Sequence, residues 1–149
     1  MPTELVREGY MRDDWTTYFL KLAALVSTRS TCPRARVGTV LVRDNRIIST
    51  GYNGAASGEY HCEDGGCVVE NNHCSRATHA ETNAIGQAAK MGIQTYNSVA
   101  YIHDDVHSGR DIGPCSNCLK VLKAAGVKKV ITSMPSPEDE IPVVISISL

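Results

Sequence analysis

Two short stretches carry side chains that can do chemistry together: His79-Ala80-Glu81 and Pro114-Cys115-Ser116-Asn117-Cys118. One imidazole and two thiolates supply three of the four ligands that Zn²⁺ takes in a tetrahedral shell, and a shell left one short keeps a place for water. Water bound there ionises near neutral pH instead of at about 16, which yields a hydroxide nucleophile. Glu81 stands two residues past the histidine, where it can stay outside the metal shell and still carry protons to and from a substrate. Cys115 and Cys118 are three apart, so a helix would present both on one face. Pro114 suits the first turn of that helix, because the N–H it lacks would have had no partner there.

The elements around these stretches follow from pattern. Trp15, Tyr18, Phe19, Leu22 and Val26 recur at three- and four-residue spacing behind Asp14, a good N-cap, and predict a helix. Val37 to Val42 is rich in β-branched residues, Asp44-Asn45 signals a turn, and Ile47 and Ile48 follow, which reads as a hairpin ending at Gly51. His79 to Met91 reads as a helix ended near Gly92, Val99 to Ile102 as a strand, Cys115 to Ala125 as a helix closed by Gly126, and Val127 to Thr132 as a strand. Val143, Ile145 and Ile147 suggest a last strand. The α-β-β-α-β-α-β order predicts a single α/β domain over residues 1–149, with a central sheet between helices. Residues 51–76 carry Gly, Asn, Ser, Cys and His without a period, and form an insertion too long for an ordinary connection.

Each local signal also has a plain structural reading. Thr78-His79-Ala80-Glu81 fits the capping box T-x-x-E, in which Glu81 merely closes its own helix. Cys115 and Cys118 alone fit a redox pair. Cys32, Cys62, Cys67 and Cys74 remain once the first pair is set aside, and four thiolates make a closed structural zinc site that would staple the insertion. His73 or His61, each beside a cysteine, can replace one thiolate; buried thiols without metal are the alternative.

Read together, HAE followed by PCSNC after 32 residues (82–113) resembles the cytidine and deoxycytidylate deaminase superfamily, for which H-x-E with P-C-x-x-C is the established signature. The run RSTCPRARVGTVLVRDNRIISTGYNG (29–54), the HC, C and HC cluster, and THAETNAI resemble the deoxycytidylate branch over most of residues 14–132. That resemblance implies a cytidine-deaminase-like three-layer α/β/α fold with a mixed sheet of about five strands. It also implies hydrolysis of deoxycytidine monophosphate (dCMP) to deoxyuridine monophosphate (dUMP) and ammonia, with catalytic Zn²⁺ on His79, Cys115 and Cys118 and Glu81 as proton shuttle. Some members of the family bind a second zinc in the insertion. By the same resemblance Asn53 contacts the sugar and Ala80 the substrate. Gly51, Tyr52, Asn53 and Gly54 help bind an allosteric triphosphate with Mg²⁺, dCTP activating and dTTP inhibiting, in a homohexamer. Tyr-Asn-Gly is on its own also simply a turn.

A monophosphate substrate needs a cationic or amide-lined pocket. Arg29, Arg34 and Arg36 lie in the loop before the first strand, Ser30 can add a hydroxyl, and Arg34 ranks first. The segment His103 to Gly113 is longer than the resembling enzymes usually have before P-C-x-x-C. It offers Arg110 to the phosphate, while His103 and His107 read as loop histidines.

Composition sets the outer bounds. A net charge of −1 argues against binding long nucleic acid through bulk electrostatics. No apolar run approaches the roughly 20 residues of a membrane span, and the first residues lack a signal-peptide pattern, which predicts a cytoplasmic protein with thiols kept reduced.

Overall fold

The computed structural model describes residues 7–71, 73–105, 113–135 and 143–149. Helix α1 (Trp15–Ser27) starts where expected: Asp14 is extended and its carboxylate accepts the Thr17 N–H at 2.7 Å. Strands β1 (Val37–Arg43) and β2 (Arg46–Tyr52) form the hairpin. Asp44 and Asn45 both have positive φ, 51° and 58°, the backbone that a two-residue hairpin turn requires. A register shift between Leu41 and Val42 marks a bulge.

Helix α3 (Ala80–Lys90), strand β5 (Val99–Asp104), helix α4 (Ser116–Ala124), strand β6 (Lys129–Met134) and strand β7 (Val143–Ser148) complete the predicted order. Inside the insertion the structure adds a short helix α2 (Cys62–Gly65) and a two-stranded ribbon, β3 (Val69–Glu70) and β4 (His73–Cys74), neither of which has a readable period. Strand β6 begins two residues later than Val127 because the Val127 N–H bonds the Leu122 carbonyl and finishes α4 instead of pairing in the sheet. Strand β5 runs on through His103, whose Nδ1 lies 3.2 Å from Ser133 Oγ on β6. That histidine is therefore a strand residue and not part of the loop. His107 and Arg110 lie outside the described residues.

The sheet order is β2-β1-β5-β6-β7, antiparallel except for the β5–β6 pair. It is therefore mixed, with α4 as the crossover of its parallel pair. Alternation along β1 sends Val40 and Val42 to one face, with Phe19, Leu20 and Ala23 of α1 and Tyr101, and sends Leu41 to the other, with Ala84 of α3 and Leu122 of α4. Two cores on opposite faces make the three-layer α/β/α fold that the sequence predicts. Gly51 lets α3 lie directly on β2, since a Cβ there would collide with the Ala80 carbonyl and the Ala84 amide. No helix among the described residues is long and apolar enough to cross a membrane.

Candidate active site

His79 and Cys115 each occupy the N-cap of a helix in extended backbone, at φ −65°, ψ 150° and φ −65°, ψ 164°. Their carbonyls accept the first helical amides, from Asn83 at 2.9 Å and Leu119 at 3.0 Å. Neither side chain caps its own helix, so the imidazole and the thiol are both turned to one shared point. Cys118, one turn into α4 and 2% exposed, meets them there. His79 Nδ1 lies 3.2 Å from Cys118 Sγ and 3.5 Å from Cys115 Sγ, and all three ligand atoms fall within 4.8 Å of one another. Tetrahedral zinc with Zn–N near 2.0 Å and Zn–S near 2.3 Å sets nitrogen and sulfur about 3.5 Å apart, so the donors fit this ion in type and spacing. Two helix N-termini converge on the same point, and their positive ends favour the thiolates that the metal needs.

Glu81 is 5% exposed and is not one of the three clustered ligands. Burial raises its pKa, partly offset by a hydrogen bond with Cys118 and the charge of His79. Burial and the neighbouring Glu81 likewise push the Cys118 thiol upward. A cation bound among these groups would reverse that preference and hold the sulfurs as thiolates.

The two plainer readings of these motifs do not describe the site. The N-cap of α3 is His79, one residue later than a T-x-x-E box requires, and the Thr78 N–H is bonded to the Gly54 carbonyl at 2.8 Å. All six cysteines are unpaired, and Cys115 and Cys118 share an imidazole instead of standing as an isolated thiol pair.

A second group of three gathers in the insertion, where Cys62, Cys67 and Cys74 have sulfurs mutually within 4.8 Å and Cys62 Sγ is 3.5 Å from Cys74 Sγ. Burial pushes Cys62 up to about 12. Burial also acts upward on Cys74, but the Ala77, Arg76 and Val68 backbone outweighs it and brings that thiol down to about 7. Cys32, His73 and His61 are not in the group. The Cys32 N–H bonds Ser30 Oγ, His61 Nδ1 lies 2.9 Å from Thr31 Oγ1, and the His73 ring stacks on that of His79 at 5.8 Å.

The expected substrate contacts are partly occupied by structural duties. Asn53 Nδ2 donates to the Ala35 carbonyl and its Oδ1 accepts from the Val37 N–H, at 2.9 and 2.8 Å. Ser30 Oγ donates to the Asn53 carbonyl at 2.9 Å, so both residues brace the loop leading into β1. Ala80 is buried beneath the site, and Arg29, Arg34 and Arg36 are exposed. Gly54 packs where a Cβ would meet Thr31 Oγ1. Gly51 and Tyr52 help line an open cleft of about 420 Å³ with Asn83, His61 and Met91.

Asn83 and Thr82 escaped the sequence reading. Asn83 Nδ2 donates to the Tyr52 carbonyl at 2.9 Å and lies 3.3 Å from those of Gly54 and Thr78, pinning the first turn of α3 to the segment after β2. Thr82 Oγ1 approaches Cys118 Sγ at 3.9 Å. The available signal was two consecutive polar residues directly after Glu81, inside a helix whose inward positions are otherwise alanine.

A buried glutamate beside an imidazole and two thiols, presented by two helix N-termini on an α/β/α sheet, defines the class of zinc-dependent deaminases. A family model described as the cytidine and deoxycytidylate deaminase zinc-binding region matches residues 13–134, and the chain belongs to that family. ComE operon protein 2 of Bacillus subtilis is 43% identical over 119 residues, covering 80% of this chain and 59% of that protein. The deoxycytidylate deaminase of Schizosaccharomyces pombe is 35% identical over 136 residues, covering 86% of this chain and 39% of that one. This chain thus spans less than two thirds of either relative's length. The dCMP deaminase of cyanophage S-TIM5, solved in complex with dCMP and dUMP, superposes with a TM-score of 0.66 at 30% identity, covering 84% of this chain and 85% of that one.

Proposed function

We propose that this protein hydrolyses dCMP to dUMP and ammonia. The observation that carries the proposal is the convergence of His79 Nδ1, Cys115 Sγ and Cys118 Sγ at two helix N-termini, with Glu81 buried against them. His79, Cys115 and Cys118 hold zinc, which when bound supplies a water acidic enough to attack near neutral pH. Glu81 takes a proton from the attacking water and passes it to the cytosine ring nitrogen. It then takes the proton of the new C4 hydroxyl and carries it to the exocyclic amine, which leaves as ammonia as the C4 carbonyl forms. Its burial keeps bulk water from competing for those protons. Asn53 contacts the sugar through the second lone pair of Oδ1, the first being held by Val37.

The choice of dCMP is supported by relatives named as deoxycytidylate deaminases and by the similarity to the cyanophage enzyme that binds dCMP. It is supported too by the charge of −1, which suits a small nucleotide better than tRNA. The same family pattern supports a hexamer in the cytoplasm, activated by dCTP and inhibited by dTTP with Mg²⁺. The cleft beside Gly51 and Tyr52 is a suitable place for the effector. Cys62, Cys67 and Cys74 hold a second, structural zinc; their mutual spacing supports that reading.

One panel tests the substrate. Ammonia release is measured on dCMP, cytidine, adenosine in tRNA and free bases, with and without dCTP or dTTP plus Mg²⁺. dCMP is expected to be turned over best, and preference for any other member of the panel contradicts the assignment.

A further inference from the structure

Ala35, Arg36 and Val37 lead into β1, and side chains from two other parts of the chain hold their backbone. Asn53, just past β2, takes the outer two. Its Nδ2 donates to the Ala35 carbonyl, its Oδ1 accepts the Val37 N–H, and its own N–H donates to the Val37 carbonyl at 3.2 Å. Asp105, one residue past β5, takes the middle one. Its Oδ1 accepts the Arg36 N–H at 2.7 Å, and its N–H donates to the Arg36 carbonyl at 3.0 Å. Val37 and Asp104 are the last registered pair of β1 and β5, so Arg36 and Asp105 form the next rung. A regular antiparallel rung would give the Arg36 N–H to a backbone carbonyl. Here a carboxylate, the stronger acceptor, receives it.

Asn53 stands next to the first turn of α3. The carbonyls of its two neighbours, Tyr52 and Gly54, lie 2.9 and 3.3 Å from Asn83 Nδ2, and Gly54 exchanges backbone hydrogen bonds with Thr78, the residue before His79. The Asn53 carboxamide spends one Nδ2 donor on Ala35 and one Oδ1 lone pair on Val37, so the direction of what remains is set by where those two residues lie. Both flank Arg36. We propose that Asp105 is a positioning residue: by holding both backbone groups of Arg36 it sets the 35–37 segment, and through it the angle at which Asn53 meets the substrate. The inference rests on the reading that Asn53 contacts the deoxyribose of dCMP. Asp105 acts through Arg36 and not by contact with the nucleotide, and the two residues are 69 apart in sequence, so no local motif joins them.

The test compares zinc-loaded wild type with Asp105→Ala, Asp105→Asn, Asn53→Ala and the double variant Asp105→Ala/Asn53→Ala. Steady-state kinetics on dCMP are paired with ¹H–¹⁵N spectra of the Asn53 side-chain amide, assigned by its absence from Asn53→Ala. Asp105→Ala should raise the KM for dCMP about threefold to tenfold, the scale of one hydrogen bond at the surface, with kcat and zinc content kept and the Asn53 amide signal displaced. Asp105→Asn keeps an acceptor oxygen and should recover most of that KM. In the Asn53→Ala background Asp105→Ala should raise KM no further, because the two residues act through one contact. A KM unmoved by Asp105→Ala, a full effect persisting without Asn53, or no recovery in Asp105→Asn overturns the proposal. An unchanged KM in Asn53→Ala removes the sugar contact and the proposal with it. Wild type that does not turn over dCMP defeats the functional reading instead. The amide signal then decides the positioning role: displacement in Asp105→Ala supports it, and an unmoved signal refutes it.

Discussion

Among the described residues the molecule carries two clusters of three metal-type ligands, and they are built in opposite ways. His79, Cys115 and Cys118 sit on helices whose inner faces form the sheet core, so regular secondary structure fixes their positions before any ion arrives. Cys62, Cys67 and Cys74 sit on a four-residue helix, a loop and a two-residue strand, in a segment whose Tyr60, Val68 and Val69 are all exposed. The first cluster borrows its geometry from a fold that stands without it. The second has little core beneath it, and an ion there would contribute to folding directly. Each cluster offers three ligands, so position decides role: three beside a buried carboxylate are fit for chemistry, and three among loops are fit for holding them.

Breaking each cluster separately should expose that difference. Cys118→Ala is expected to reduce dCMP deamination to background and to remove about one zinc per chain, while far-UV circular dichroism stays that of the native fold. Cys62→Ala should also remove about one zinc, but its main effect should be earlier thermal unfolding and faster proteolysis within 51–76, with activity falling as the insertion loosens. Identical melting curves for the two variants would erase the distinction. A smaller effect is expected where the fold meets the first cluster. Gly51→Ala forces α3 off β2 and should cost about 1–3 kcal/mol, as overpacking typically does, shifting His79 and Glu81 together and lowering kcat. Unchanged stability would show that the close approach is not needed.

The smallest effect concerns a helix remote from both clusters. Hydrogen bonds from Thr17 hold the Asp14 carboxyl below its ordinary value. Its contribution is therefore present above the unfolded pKa, near 3.8, and is lost as pH falls through the lower folded value. Asp14→Ala should lower Tm slightly at pH 7, and the gap to wild type should close as pH falls below 3.8 and through the lower folded value. A gap that persists in acid would mean the cap does not act through the carboxylate.

The contrast between the clusters also explains what was legible in the sequence. Helical spacing from Trp15 to Val26, the Asp44-Asn45 turn and the β-branched run of β1 are local signals, and the structure follows them. The candidate catalytic group was readable because each half is a fixed local motif at a helix start, so topology had only to bring two helix ends together. The insertion was not readable beyond its composition. Its elements are too short to show a period, and which cysteines gather depends on contacts across the chain: Cys32 stays apart while Cys62, Cys67 and Cys74 meet. Asn83 was hidden for a related reason, since its partners Tyr52, Gly54 and Thr78 lie on segments that only the folded sheet brings together.

The central claim is that Glu81 moves the protons of deamination without holding the metal. It is tested most directly by measuring zinc content and dUMP formation from dCMP on wild type and Glu81→Gln side by side. Glu81→Gln should keep its full complement of zinc and lose turnover by at least about 10²–10⁴-fold, the range of a general acid–base group. Turnover near that of wild type, or loss of zinc along with activity, would contradict the account.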